Sequence, residues 1–192
     1  MNKKQPIKPG WCTWITGLPG SGKSVIANSL LKILNKNQIH AQLLSSDELR
    51  KILTPKPVYS LEERDRVYET IVYIATLLTR NGTNIIIDAT GNLRRYRDEA
   101  RKQIKRFIEV YLECPLQTCI DRETKRNRTY SAPKKIYSRA KNEDKANTVP
   151  GLGQPYEQPL NPEVTINTEK CSPEQCARKI FKEIQSATIS SY

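Results

Sequence analysis

The residues best suited to chemistry lie in one short stretch near the start of the sequence, GLPGSGKS, Gly17–Ser24. It fits the pattern G-x-x-x-x-G-K-[ST], in which glycines let successive backbone N–H groups turn inward around an anion. In such a loop the lysine ammonium reaches the β- and γ-phosphates of a nucleotide, and the serine hydroxyl holds Mg²⁺. We therefore predict a site for ATP and Mg²⁺ here. Its predicted nucleotide-binding residues are Gly17, Leu18, Pro19, Gly20, Ser21, Gly22, Lys23 and Ser24.

The sequence around this phosphate-binding loop (P-loop) supplies the elements that the motif requires. An apolar run rich in β-forming residues, Trp11–Thr16, precedes the loop, and apolar residues at helical spacing follow Lys23. A strand therefore enters the loop and a helix leaves it, so that the positive end of the helix dipole faces the phosphate. A glycine-rich turn that binds nothing is the alternative, and the complete pattern with both flanks disfavours it.

Two acids and an arginine follow later predicted strands. Asp47 lies just past the strand in HAQLLSSDEL, and Asp88 ends the apolar strand in NIIIDAT. Ligands of parallel sheets bind at the carboxyl ends of the strands, so both acids are expected beside the P-loop. Arg50 lies one helical turn beyond Asp47, and its guanidinium suits phosphate or sulfate better than an ammonium does. A helix cap for Asp47 and a solvated helix face for Arg50 are the alternatives.

Alternating strands and helices predict the scaffold that positions these residues. Further strands are expected in FIEVYLEC and Glu163–Asn167, and further helices at roughly 61–79, from about Leu93, and at Ser172–Ile184. This order favours an α/β protein of three layers, a P-loop NTPase fold in which a parallel sheet has helices on both faces. We expect a single domain over residues 1–192.

The segment 123–158 departs from this alternation. It is basic, is broken by Pro133, Pro150 and Pro155, and lacks long apolar periodicity. We interpret it as a basic lid that closes over the nucleotide and excludes water. A disordered insertion is the alternative.

Composition narrows the class of partner. The 192 residues contain 32 lysines and arginines against 20 acids, which gives a formal net charge of +12 and favours anionic ligands.

The cysteines and the apolar stretches bear on where the protein acts. The five cysteines are an odd number and no signal-peptide pattern precedes them, so we expect reduced thiols in a cytoplasmic protein. No apolar stretch approaches the roughly 20 residues that cross a bilayer, so we expect no membrane partner. No N-K-x-D element for guanine follows the P-loop, which favours ATP over GTP.

Four motifs together resemble one family. The P-loop GLPGSGKSV is similar to GLSGSGKST, LSSDELR to LDGDNVR, and ECPLQTCIDR to xxPLExCxxRD. The longest match is GLGQPYEQPLNPEVTINT with G-I-x-x-P-Y-E-x-P-x-x-P-E-x-x-x-x-T. From about Trp11 to Thr168 the chain thus resembles the adenylylsulfate kinase family. These enzymes transfer the γ-phosphate of ATP to the ribose 3′-hydroxyl of adenylyl sulfate.

This resemblance implies roles for individual residues. Asp47 would hold the Mg²⁺ with Ser24 or accept the proton of the acceptor hydroxyl, and Arg50 would grip the anionic end of the acceptor. Lys23, Asp47 and Arg50 are thus the predicted catalytic residues. Arg122 is predicted to stabilise charge on the transferred group, with a helix-face salt bridge as its alternative. The predicted substrate-binding residues are Arg50, Asp88, Arg94, Arg97 and Lys141.

The sequence also differs from the family on the acceptor side. DATGNLR stands where the family has FISPYR, Val149 aligns with a lid phenylalanine that stacks on adenine, and Glu123–Ala132 is a basic insertion. DAT after an apolar strand also resembles polynucleotide-kinase-like phosphotransferases, in which arginines beyond the strand-end acid read a backbone phosphate. Arg94, Arg95 and Arg97 could have that role here, and Tyr130 and Tyr137 in the basic segment could stack on bases. A small anionic nucleotide is therefore the first choice of partner and nucleic acid the second, with a homodimer as one option for assembly. A nucleotide-binding module without catalysis is the third reading.

Overall fold

A five-stranded parallel sheet forms the centre of the protein in the computed structural model, which describes residues 7–127, 129–142 and 146–189. The strands are β1 Cys12–Thr16, β2 Ala41–Ser45, β3 Asn84–Asp88, β4 Phe107–Glu113 and β5 Val164–Asn167. The helices of these residues are α1 Lys23–Lys36, α2 Ser46–Leu53, α3 Leu61–Arg80, α4 Arg94–Gln103, α5 Leu116–Lys125, α6 Ile136–Asn142 and α7 Pro173–Ile189, with a 3₁₀ turn at Ala146–Thr148.

The strand order β2-β3-β1-β4-β5 brings the predicted functional strands together. β1 lies between β3 and β4, and Ile15 pairs in register with Asp88. Ser45, the last residue of β2, also pairs with Asp88. The loop after β1, the start of α2 and the end of β3 therefore share one edge of the sheet, as the sequence predicts.

Alternation along the strands divides the apolar core into two layers. In β1, Ile15 packs in the layer that α1 and α7 cover, whereas Cys12 and Trp14 pack on the opposite side against α3 and α4. Helices therefore cover both faces, which confirms the predicted three-layer α/β architecture. The fully buried Trp14 donates from Nε1 to the carbonyl oxygen of Ala89 at 3.0 Å, so the core also fixes the loop that follows β3.

The described part of the predicted lid is folded onto the P-loop. Helix α5 extends through Lys125, so the irregular segment begins a few residues later than the predicted 123. A small third core joins Cys119 of α5 to Tyr137 of α6 and to Val149. The Tyr137 hydroxyl donates to the carbonyl oxygen of Pro19 at 2.7 Å. This segment therefore packs against the P-loop, where the sequence predicts the nucleotide site.

A search of the described residues for membrane-spanning helices finds none that is both long and apolar enough.

Candidate active site

The P-loop connects β1 to α1 through three glycines with positive φ angles, Gly17, Gly20 and Gly22. Gly20 has φ +83°, and a Cβ there would lie 2.4 Å from the carbonyl oxygen of Cys119, so only glycine fits. Gly22, with φ +105°, is the N-cap of α1. The Lys23 ammonium lies over the loop and donates to the carbonyl oxygens of Gly17 and Leu18, both at 3.0 Å. The loop thus presents a lysine and a helix N-terminus at one concave surface.

Two carboxylates face this lysine, the buried Asp88 and the half-buried Asp47. The Ser24 side chain lies close to Asp88, and both Asp88 and Asp47 interact electrostatically with Lys23. Burial raises the pKa of both carboxyls, and the Lys23 charge opposes that shift. Burial also lowers the pKa of Lys23, which the two carboxylates oppose. Each charge is therefore partly compensated by the others, as expected of a functional site.

The chemistry of this group suits a magnesium ion. The described residues contain no cluster of three or more His, Cys, Asp and Glu side chains that could bind a metal alone. Mg²⁺ in kinase sites, however, takes one or two carboxylates and completes its shell with phosphates and water. The Ser24 hydroxyl and the carboxylates of Asp47 and Asp88 are such hard oxygen donors. Asp88, predicted to bind substrate, thus lies on the P-loop side of the site.

A cavity of about 690 Å³ opens beside Asp47 and extends away from the P-loop. Arg50 reaches it from α2 and forms a buried ion pair with Glu63 at 2.7 Å. The same carboxylate accepts from the backbone N–H groups of Val58 and Tyr59, so it fixes the segment before α3. The cavity is lined by Pro19, Ser46, Asp47, Arg50, Pro57, Val58, Tyr59, Arg64, Tyr68, Thr90, Pro133, Lys134, Ile136, Arg139, Ala140, Thr148, Val149 and Pro150.

Two cavity residues escaped the sequence predictions. The guanidinium groups of Arg50 and Arg64 both lie near the ring of Tyr59, with their Cζ atoms 5.3 and 5.8 Å from its centroid. Arg64 also donates to the carbonyl oxygen of Thr148 at 2.6 Å, which links α3 to the lid segment. The sequence does contain a pattern that could have located them. Ser60-x-x-Glu63 is a helix N-cap pattern, and it places Tyr59 and Arg64 at the start of α3.

The remaining predicted acceptor residues do not all face the cavity. Arg94 begins α4, and its guanidinium donates to the carbonyl oxygen of Gln158 at 3.3 Å. The prediction that Arg97 binds substrate is corrected by the structure, because its side chain is fully buried and forms an ion pair with Glu109 at 2.6 Å. Arg97 therefore supports the site from inside the protein. The side chain of Lys141 lies outside the described residues.

Arg122, predicted to stabilise charge on the transferred group, contacts the end of β5 in the structure. Its guanidinium donates to the side-chain and backbone oxygens of Thr168, at 2.9 and 2.8 Å, and to the sulfur of Cys114. These contacts tie α5 to the end of β5. The arginine therefore has a local structural partner, close to the alternative that the sequence left open.

The motif PYEQP belongs to the longest stretch of the family resemblance, and its residues hold the loop 89–93 in place by hydrogen bonds. The Tyr156 hydroxyl lies 3.0 Å from Thr16 Oγ1, which donates to the carbonyl oxygen of Thr90 at 2.5 Å. Glu157 accepts from the backbone N–H of Arg94 at 2.8 Å, and Arg97 donates to the Glu157 carbonyl oxygen at 2.6 Å. The motif therefore holds the floor of the cavity in place.

A P-loop after the first strand of a parallel sheet, an acid at the end of the neighbouring strand β3, a second acid just after β2 and a folded lid define a P-loop kinase. Residues 9–167 match the family model described as Adenylylsulphate kinase. The chain belongs to the adenylylsulfate kinase family.

Several relatives resemble this chain over nearly their whole length. A probable adenylyl-sulfate kinase of Archaeoglobus fulgidus is 39% identical over 82% of this chain and 95% of that protein. The adenylyl-sulfate kinase of Rippkaea orientalis is 34% identical, with 92% of each chain covered. The APS kinase of Mycobacterium tuberculosis, solved in complex with AMPPNP and APS, superposes with a TM-score of 0.81 at 29% identity, covering 92% of this chain and 98% of that one.

Proposed function

We propose that this protein is an adenylyl-sulfate kinase, which transfers the γ-phosphate of ATP to the 3′-hydroxyl of adenylyl sulfate and gives 3′-phosphoadenylyl sulfate. Family membership and the likeness to a kinase solved with both ligand types support the proposal. The observation that carries it is the position of Asp47, at the junction of a phosphate-binding loop and an arginine-lined cavity. Donor and acceptor would meet at this carboxylate.

The donor side would bind ATP through the P-loop amides and Lys23. Ser24 and Asp88 would hold Mg²⁺, which neutralises charge on the β- and γ-phosphates when bound, and Asp47 would stay free to act as the base. In phosphoryl transfer the protein contributes mainly position and charge. The two carboxylates and the lysine, whose charges partly compensate each other, are well suited to this reaction. The N-terminus of α1 adds a further positive partial charge.

The acceptor side would orient the nucleotide so that its 3′-hydroxyl points to Asp47. Burial raises the pKa of this carboxyl, which makes its ionised form a stronger base than an exposed aspartate. Arg50 and Arg64 would bind the phosphosulfate, and Tyr59 beside them lines the same cavity. Neither the matching family model nor the relatives described above supports a polynucleotide acceptor.

An acceptor screen with γ-labelled ATP tests this proposal. Adenylyl sulfate, nucleosides and 5′-hydroxyl oligonucleotides would be offered to the wild-type protein under the same conditions. We expect label on adenylyl sulfate alone. Label on another acceptor, with adenylyl sulfate unlabelled, would show that the acceptor is wrong while the ATP-binding assignment stands.

A further inference from the structure

The loop that follows β3, residues 89–93, is bound to β1 by two side chains on one face of that strand. Trp14 packs on the side of the sheet that α3 and α4 cover, and Thr16, two positions further on, points to the same side. Trp14 donates from Nε1 to the carbonyl oxygen of Ala89, and Thr16 donates from Oγ1 to that of Thr90. Two consecutive carbonyl groups of the loop are therefore fixed to the strand that enters the P-loop.

The hydroxyl of Thr16 has a second partner, and this settles the direction of both hydrogen bonds. Its one proton goes to the Thr90 carbonyl oxygen, because a carbonyl group can only accept. The Tyr156 hydroxyl, 3.0 Å from Thr16 Oγ1, must therefore be the donor in the second hydrogen bond. Since Thr16 is fully buried, the two bonds form a fixed chain from Tyr156 through Thr16 to Thr90.

This chain of hydrogen bonds joins the donor side of the site to the acceptor side. Thr16 directly precedes Gly17, the first residue of the P-loop, and Thr90 lines the cavity. Tyr156 follows the lid segment, which also lines this cavity. A shift of Thr90 relative to Thr16 would therefore move a bound acceptor relative to the phosphate that it attacks.

The ring of Tyr156 is held by its own neighbours. It stacks on Tyr111 of β4 with ring centroids 6.2 Å apart, and the Arg97 guanidinium lies 5.8 Å from its centroid. Arg97 is in turn fixed by its buried ion pair with Glu109. These ring contacts hold the hydroxyl beside Thr16, and a phenylalanine at this position would keep them.

We propose that Tyr156 and Thr16 are positioning residues for phosphoryl transfer, which fix the acceptor cavity relative to the P-loop through the Thr90 carbonyl group. Catalysis of this reaction depends largely on alignment, and a misplacement of about 1 Å can cost on the order of 10²-fold in rate. The inference rests on the proposed kinase function, and it holds for any acceptor that binds in this cavity.

Hydrogen exchange of the backbone amides of residues 89–93, measured without substrates, tests the structural step. We expect exchange in Tyr156→Phe to be about threefold to tenfold faster than in the wild type, the factor expected for the loss of one hydrogen bond. Tyr111→Phe is the matched control, because it removes a hydroxyl from the ring stacked on Tyr156 and should leave these rates unchanged. Wild-type exchange rates in Tyr156→Phe would overturn the proposal.

The kinetic arm measures kcat with a saturating amount of the acceptor that the screen labels. For Tyr156→Phe we expect kcat to fall by about tenfold while AMPPNP affinity, measured by calorimetry, stays within about twofold, since alignment and not nucleotide binding is lost. Tyr111→Phe should turn over at the wild-type rate. A loss of AMPPNP affinity as large as the loss of kcat would show that the hydroxyl only supports the fold of the P-loop, contrary to the proposal.

Thr16 supplies a second pair of variants. Thr16→Val removes the hydroxyl that both partners use, so kcat should fall, whereas Thr16→Ser keeps this hydroxyl and should retain most of the activity. Losses in the double variant of Thr16→Val and Tyr156→Phe should not multiply, because both substitutions break the same chain. Multiplied losses would mean that the two hydroxyls act independently, which the proposal does not allow.

The exchange measurement also separates this inference from the proposed function. If the screen labels no acceptor, the proposed function fails, and the exchange rates at 89–93 still decide whether the Tyr156 hydroxyl fixes the loop.

Discussion

At the scale of single residues, Lys23 has four oxygen-bearing neighbours: two carbonyl groups of the P-loop and the carboxylates of Asp47 and Asp88. Its charge is therefore part of a balanced group as well as a ligand for phosphate. We expect Lys23→Ala to lower kcat by about 10²- to 10³-fold, measured as phosphate transferred from γ-labelled ATP. Lys32→Ala, on the exposed face of the same helix, should transfer at the wild-type rate. Similar turnover in both variants would contradict the role given to Lys23.

Asp88 couples activity to stability through its raised pKa. Burial is the main cause that raises this pKa, so the pKa in the folded state lies above the value in the unfolded state. The protonated Asp88 side chain therefore favours the folded state at low pH, and this contribution to stability is lost as the pH rises through the folded-state pKa. We expect Asp88→Asn without Mg²⁺ to raise Tm by about 2–4 °C at roughly pH 8, with a smaller gain at roughly pH 5.

The same variant should lose activity, since the amide is a poorer ligand for Mg²⁺. Calorimetry at the two pH values and kcat at saturating Mg²⁺ provide the two measurements. A Tm that falls at the higher pH would mean that the attraction between Asp88 and Lys23 outweighs burial.

At the scale of elements, helix α4 shows what sequence patterns can and cannot decide. Helical spacing shows that Arg94, Arg97 and Arg101 share a face, but not whether that face is turned to a ligand or to the core. The deciding partner is Glu109, an acid within the apolar strand β4, which pairs with Arg97. Long-range pairs of this kind are set by tertiary packing. The P-loop, in contrast, was predictable because its pattern is local.

The buried pair of Arg97 and Glu109 predicts a large loss of stability when one partner is removed. We expect Arg97→Met to lower the free energy of unfolding by about 3–5 kcal/mol, because it leaves a buried carboxylate without its main partner. Arg101→Met, on the same helix but with a side chain 37% exposed, should cost about 1 kcal/mol or less. Urea unfolding of both variants makes the comparison, and equal losses would contradict the interpretation of Arg97 as the buried support.

At the scale of the whole molecule, the fold followed from periodicity, but the cavity did not. Strands and helices repeat every 2 or 3.6 residues, so their order and the shared edge of the sheet could be predicted. The cavity is formed where the Pro-containing segment around Tyr59 meets the lid segment around Val149. Neither has a regular period, and only the folded chain brings them together.

The net charge of +12 predicts how the protein responds to salt. A positive field around a narrow site speeds the encounter with anions, so kcat/KM for ATP should fall by about threefold to tenfold between about 50 and 200 mM NaCl. The value of kcat at saturation should change little, since the encounter is then complete. A polynucleotide bound through many phosphates would instead lose about 10³- to 10⁵-fold in affinity over this range.

Two charge variants test where the positive field acts. Lys134→Gln, at the cavity, should reduce the salt dependence of kcat/KM. Lys36→Gln removes the same charge at the far end of α1 and should leave the salt dependence unchanged. Equal effects of the two variants would mean that total charge, not its concentration around the cavity, attracts the substrate.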